Sequence, residues 1–137
     1  MFVDYNYYKD TYKGTEVDSA SFPSYELKAR TIIDNHCWKR EEDYQRVLNG
    51  EYKDNLKLAT CEVIDSIKIF ETLLEKAKKG QSYQVSGLSS ETVKDHSINI
   101  ASVDKNIILE LENDTIKQQI GIIRKYLIRT GLLSKGL

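Results

Sequence analysis

A single proline in 137 residues leaves too little turn punctuation for an all-β sandwich. Two cysteines, Cys37 and Cys61, are too few for a disulfide scaffold, and with no export signal both are expected as reduced thiols inside a cell. The start, Met-Phe-Val-Asp-Tyr-Asn-Tyr-Tyr, has neither the basic residues nor the apolar core of a signal peptide. No apolar run approaches the ~18 residues that cross a bilayer. The seven glycines are scattered and none precedes a Lys-Ser or Lys-Thr pair, so no phosphate-cradling loop is present. No Gly-x-Ser-x-Gly elbow occurs either. A charge excess is also missing. The 20 Lys+Arg and 21 Asp+Glu nearly cancel, which argues against the chain as a whole binding nucleic acid electrostatically.

Metal and catalytic spacings are equally scarce. His36-Cys37 and the pair Cys61 and His96 lack both Cys-x-x-Cys and His-x-x-x-His spacing. Neighbours on a helix point about 100° apart, so His36 and Cys37 do not form a catalytic pair. Glu62 and Asp65 read as a solvated helix face rather than an acid–base pair. Asn113-Asp114-Thr115 reads as a chance match to the glycosylation pattern. No enzyme, cofactor or metal is expected.

What is present is helical period. With 40% apolar and 30% charged residues, the chain has the profile of one soluble domain, 1–137, large enough to bury a core. Asp4 can cap a short helix ending at Gly14 and carrying Tyr5, Tyr7, Tyr8 and Tyr12. These tyrosines read either as half-buried against the body or, for Tyr5, Tyr8 and Tyr12, as a subunit interface. Ser21 and Pro23 open a second helix over 21–38, with Phe22, Tyr25, Ala29, Ile32, Ile33 and His36 at helical spacing. The charged stretch 39–50 reads as a loop or a short helical turn, ending in the turn signal Asn49-Gly50. Residues 52–79 give the strongest signal. Leu56, Ala59, Val63, Ile67, Phe70 and Leu74 form a stripe, widened by Leu58, Ile64, Ile69 and Leu73, and Gly80 is the expected stop. The Asp65–Lys68 and Glu75–Lys79 spacings add surface pairs.

Between 81 and 102 the pattern alternates, at 83–86 and 97–101, predicting a β-hairpin turning at Lys94-Asp95-His96. A lone hairpin is marginal in water, so it packs on the helices or pairs with a neighbour. Residues 103–112 fit a helix capped by Asp104, or a strand, with helix favoured. The last helix, 114–130, carries the seam Ile116, Ile120, Ile123 and Leu127, and Gly131 ends it. The expected architecture is mainly α: a small bundle of about four helices with a short hairpin insertion.

Charge is polarised along the chain. From Thr115 onward there are five basic residues, Lys117, Arg124, Lys125, Arg129 and Lys135, and no acidic one. The remainder carries fifteen basic and twenty-one acidic residues, net −6. The basic stretch reads either as the charged outer face of a terminal helix, complementing its dipole, or as a surface that docks on an acidic partner.

Three segments together resemble the head–tail connector (adaptor) proteins of long-tailed bacteriophages and prophages. The first is Tyr25-Glu26-Leu27-Lys28-Ala29-Arg30 with Ile32-Ile33-Asp34. The second is Ser89-Ser90-Glu91-Thr92-Val93-Lys94-Asp95-His96-Ser97-Ile98, where Lys94 replaces the family's usual glycine. The third is Tyr126-Leu127-Ile128-Arg129-Thr130-Gly131-Leu132-Leu133, after which Ser134-Lys135-Gly136 departs from the family's aromatic and arginine. The likeness runs from about residue 3 to 137. It implies a ring of about twelve copies under the portal of a filled head, joining portal to stopper or tail-completion protein and surrounding the DNA exit channel. The DNA would pass without sequence-specific binding, and the protein would reside in the virion neck after assembly in the host cytoplasm. The resemblance assigns portal docking to a C-terminal segment, here Arg124, Lys125, Arg129, Leu132, Leu133, Lys135 and Leu137, with 131–137 as the docking tail. It assigns subunit and stopper contacts to the hairpin, here Tyr83, Val85, Glu91, Val93, Asp95, Ile98 and Ile100. The alternative is a small helical regulatory or binding module, acting as a dimer or hetero-complex through the 116–127 seam.

Overall fold

Leu56, Ala59, Val63, Ile64 and Ile67 recur at helical spacing, and all five are buried, so the middle of the chain forms the helix on which the core is built. The computed structural model describes residues 1–86 and 90–133, with side chains described for 1–78 and 106–133. A π-helical turn (Tyr7–Thr11) is followed by α1 (Phe22–Cys37), α2 (Glu41–Leu48), α3 (Lys53–Ser86) and α4 (Ser90–Leu127). The chain divides into two compact units. Unit 1 comprises residues 1–68 and 117–137, and unit 2 residues 69–116.

In unit 1, α1 buries Phe22, Ala29 and Ile33, α2 buries Tyr44 and Val47, and α4 buries Ile122, Ile123 and Leu127. Ser21 precedes α1 without a side-chain cap bond. Instead Asp18 Oδ1 accepts from the Ser21 N–H at 2.8 Å. Pro23 lies in the first turn, where its missing N–H is harmless. The charged stretch 39–50 contains the two-turn helix α2, whose Asp43 accepts from the Arg40 N–H at 3.2 Å. Buried polar side chains find partners in the core, apart from His36 Nε2, which is buried without a hydrogen bond. Glu26, fully buried, accepts from the Phe2 N–H at 2.8 Å and from Arg30 Nε at 2.7 Å. Gln119 Nε2 donates to Ser66 Oγ at 3.1 Å. Gly131, at φ +80°, reverses the chain after α4 and returns Leu132 to the core.

Unit 2 is the remainder of α3 and the first part of α4. Ile69, Leu73, Leu109 and Ile116 are all exposed there by 41% or more, so the widened stripe stops contributing core at Ile67.

Several expectations need correction. The hairpin is not seen: residues 83–86 and 97–101, and the supposed turn at 94–96, lie within α3 and α4, and no strand occurs among the described residues. Alternation over four or five residues is too short a signal to separate strand from helix. No proline follows Pro23 to break a helix, and Gly80 costs only about 1 kcal/mol relative to alanine. Gly80 therefore does not end α3, and Asp104 lies inside α4 rather than capping it. Residues 87–89 lie outside the described residues.

Candidate functional site

Three of the N-terminal aromatics find partners on α3. Asp4 Oδ1 accepts from the Tyr7 N–H at 2.8 Å and opens the π turn. That turn aims Tyr7, Tyr8 and Tyr12 at two α3 carboxylates. Tyr7 donates to Asp54 at 3.0 Å. Tyr8 donates to Asp65 Oδ1 at 2.6 Å and Tyr12 to Asp65 Oδ2 at 2.8 Å, so one carboxylate holds two hydroxyls. The Tyr8 hydroxyl also accepts from the N–H groups of Glu16 and Val17, at 3.1 and 3.2 Å. Burial, then the carboxylate hydrogen bonds, push all three phenols above the ordinary tyrosine range.

Tyr8 is fully buried, which removes it from the expected subunit interface. It is a large amphipathic side chain whose ring packs against Phe22 at 5.5 Å while its hydroxyl is satisfied internally. Tyr5 packs edge-on against Phe22 at 5.6 Å and is half-buried, as is Tyr12. The segment thus fastens to the body of its own chain.

At the other end of unit 1, Arg124, Lys125 and Arg129 are exposed. Lys125 Nζ lies 3.4 Å from Glu62 and 4.6 Å from the Tyr126 ring centre. The Tyr126 hydroxyl donates to Glu62 at 2.5 Å, and Asn55 Nδ2 donates to the Tyr126 carbonyl at 2.9 Å. Burial and Glu62 together push the Tyr126 phenol up to about 12. Glu62 and Asp65, read from sequence as a solvated face, are therefore tyrosine acceptors. Leu132 is fully buried and belongs to the core of its own chain, so it is not free to dock as the C-terminal segment was expected to. Leu133 is half-buried against that core, and Lys135 and Leu137 lie outside the described residues. The side chains of Tyr83, Val85, Glu91, Val93, Asp95, Ile98 and Ile100 lie outside the described residues as well. Of the 116–127 seam, Ile123 and Leu127 are buried in the core and Ile116 is 52% exposed.

Reactive chemistry is not assembled among the described residues. The Cys37 and Cys61 thiols are buried and pushed up to about 11 and about 12 by that burial, which keeps them protonated and inert. No group of three ligating side chains could hold a metal ion there. An open cleft is lined by Phe2, Leu27, Arg30, Asp34, Lys39 and Tyr44, but Arg30 is held by Glu26 and Asp34 accepts from Tyr44 at 2.5 Å. Among the described residues no helix is long and apolar enough to cross a membrane. The signals that sequence reading passed over are Trp38, 88% exposed at φ +52°, and Gly121, on an exposed face of α4 with open space around it. No protein-family model, no curated protein and no solved structure matches this chain.

Proposed function

We propose that this chain is a structural adaptor of a phage neck, forming a ring of about twelve copies under the portal. The ring links the DNA-filled head to the stopper or tail and surrounds the DNA exit channel. The observation that carries the reading is that two of the three connector-like segments meet in one core. The first segment supplies buried Glu26, Ala29 and Ile33 on α1. The third supplies Tyr126, held by Glu62, then buried Leu127, the Gly131 reversal and buried Leu132. Residues of these two segments are thus part of the core of unit 1. A chain whose polar groups serve internal fastening suits a part whose work is assembly. Near-neutral charge suits a DNA conduit, because a strongly basic lumen would hold the phosphate backbone.

The test is electron microscopy of a lysate from a strain lacking this gene. Filled or leaking heads beside separate, complete tails are expected. Intact tailed particles would remove the reading. The regulatory dimer built on the 116–127 seam is less well supported, since Ile123 and Leu127 of that seam are already buried in their own chain.

A further inference from the structure

The Asn49-Gly50 pair ends α2, and neither the core nor the proposed ring makes use of its chemistry. Asn49 follows Leu48 as the C-cap at φ −98° and ψ 1°, and both residues of the pair are exposed. The Asn49 N–H donates to the Gln45 carbonyl and the Gly50 N–H to the Val47 carbonyl, each at 3.0 Å. No other asparagine in the sequence precedes a glycine. That neighbour matters. The backbone nitrogen after an asparagine lies within reach of the side-chain carbonyl carbon, and the two close a five-membered ring without any encounter step. A side chain on the following residue crowds that approach, and glycine has none.

We propose that Asn49 is a site of spontaneous deamidation, restrained by the turn that ends α2, with water as the co-reactant. Gly50 N gives its proton to hydroxide or water and attacks Asn49 Cγ. A Cγ–N bond to Gly50 forms, the bond from Cγ to the side-chain amide nitrogen breaks, and that nitrogen leaves as ammonia after taking up a proton. The product is a cyclic imide, which water opens at either carbonyl. Breaking the new Cγ–N bond gives aspartate at position 49. Breaking the original peptide bond between positions 49 and 50 gives isoaspartate, with the main chain running through the former side chain.

The fold holds this reaction back and also sets its consequence. The Gly50 N–H is engaged by Val47, and a closed imide demands a ψ far from the 1° of Asn49. Ring closure therefore waits for the end of a two-turn surface helix to open, which is among the cheaper openings of a folded chain. The product carries a new charge. α2 begins with Glu41, Glu42 and Asp43 and has Arg46 in its last turn, an order that suits the helix dipole. A carboxylate at position 49 opposes that dipole. Isoaspartate also lengthens the main chain by a methylene, close to buried Val47. Both products loosen the hold of α2 on the core.

The full chain is incubated in mildly alkaline buffer, folded and in urea, and sampled over time. Trypsin cleaves after Arg46 and Lys53, so peptide 47–53 contains Asn49 and no other asparagine. Its mass should rise by about 1 Da, an amide NH2 exchanged for a carboxyl OH, before any other asparagine peptide changes. The product should separate into two species, one of them a substrate for isoaspartyl methyltransferase. Conversion should be slower in the folded chain than in urea. Gly50→Ala tests the attack itself. A Cβ there comes to 3.3 Å from the Arg46 carbonyl oxygen and 3.7 Å from that of Val47, so the fold should survive with a small local shift. The variant should convert at least about tenfold more slowly, in urea as well as folded. Asn49→Asp supplies one product directly and should lower the urea midpoint. Three results overturn the site: a peptide 47–53 that keeps its mass in the folded chain, another asparagine that converts first, or Gly50→Ala converting as fast as the parent. Equal rates folded and in urea would overturn the restraint by α2, and an unchanged midpoint for Asn49→Asp would overturn its loosening.

Discussion

Asp65 accepts two phenols, and the Tyr8 phenol in turn accepts two backbone N–H groups. Tyr8→Phe would leave the Glu16 and Val17 N–H groups without their acceptor in a partly dry site, and should cost about 1–3 kcal/mol in urea unfolding. Asp65→Ala removes the acceptor from both rings and should cost more than Tyr8→Phe or Tyr12→Phe alone. The same bonds set a pH dependence. Each phenol is shifted upward in the folded state, so it loses its proton first in the unfolded chain. The stability they contribute is therefore fully present below about pH 10, the unfolded value, and lost as pH rises. Tyr126, pushed up to about 12, loses its share between about pH 10 and 12. Urea midpoints measured from neutral to alkaline pH should fall across this window, and less steeply for Tyr126→Phe. At Gly14, any side chain would overlap the ring of Tyr8, whose rigid body has no rotamer to yield. Gly14→Ala should therefore be more damaging than alanine at an ordinary turn glycine.

At the scale of elements, the terminal turn belongs to the core. Leu132→Ala should cost about 2–5 kcal/mol, as expected for a fully buried leucine, while Leu133→Ala, half-buried, should cost less. Gly131→Ala puts a side chain at φ +80° and should cost about 1–2 kcal/mol. Thermal melts of the three variants check the order. These elements also show what local spacing reveals. The Phe22–Ala29–Ile33 and Leu56–Val63–Ile67 steps announce α1 and the first half of α3, because a helix repeats its buried face every three or four residues. The same spacing cannot tell where a neighbour ceases to cover that face, so Ile69 and Leu73 look like core and are exposed. The hairpin at 83–101 fails for a related reason. β-branched residues at alternate positions are tolerated in a helix with no breaker inside it. The carboxylate bonds of Tyr7, Tyr8, Tyr12 and Tyr126 were illegible because they join residues 47 to 64 apart, a separation that no local window contains. Of the candidate site, the basic stretch from Thr115 onward was legible, and the exposure of Trp38 was not.

For the whole molecule, near-zero net charge sets what the chain does to a polyanion. Duplex DNA should not be retained at about 0.15 M salt in an electrophoretic shift, because few phosphates would be neutralised per subunit and screening acts within about 8 Å. Firm, salt-sensitive retention by the isolated chain would argue against a conduit. Unit 1 has a further property, set by the order of its residues. It is made from 1–68 and 117–137, with unit 2 encoded between them. During synthesis Asp65, the acceptor of Tyr8 and Tyr12, is added before unit 2, whereas Ile123, Leu127 and Leu132 are added only after it. At about 10 residues per second that interval is roughly five seconds. A nascent chain in that window holds an open core, with Leu56, Val63 and Ile64 lacking their α4 partners. A chain cut short within unit 2 would keep that core open, because Ile123, Leu127 and Leu132 all follow unit 2 in the sequence.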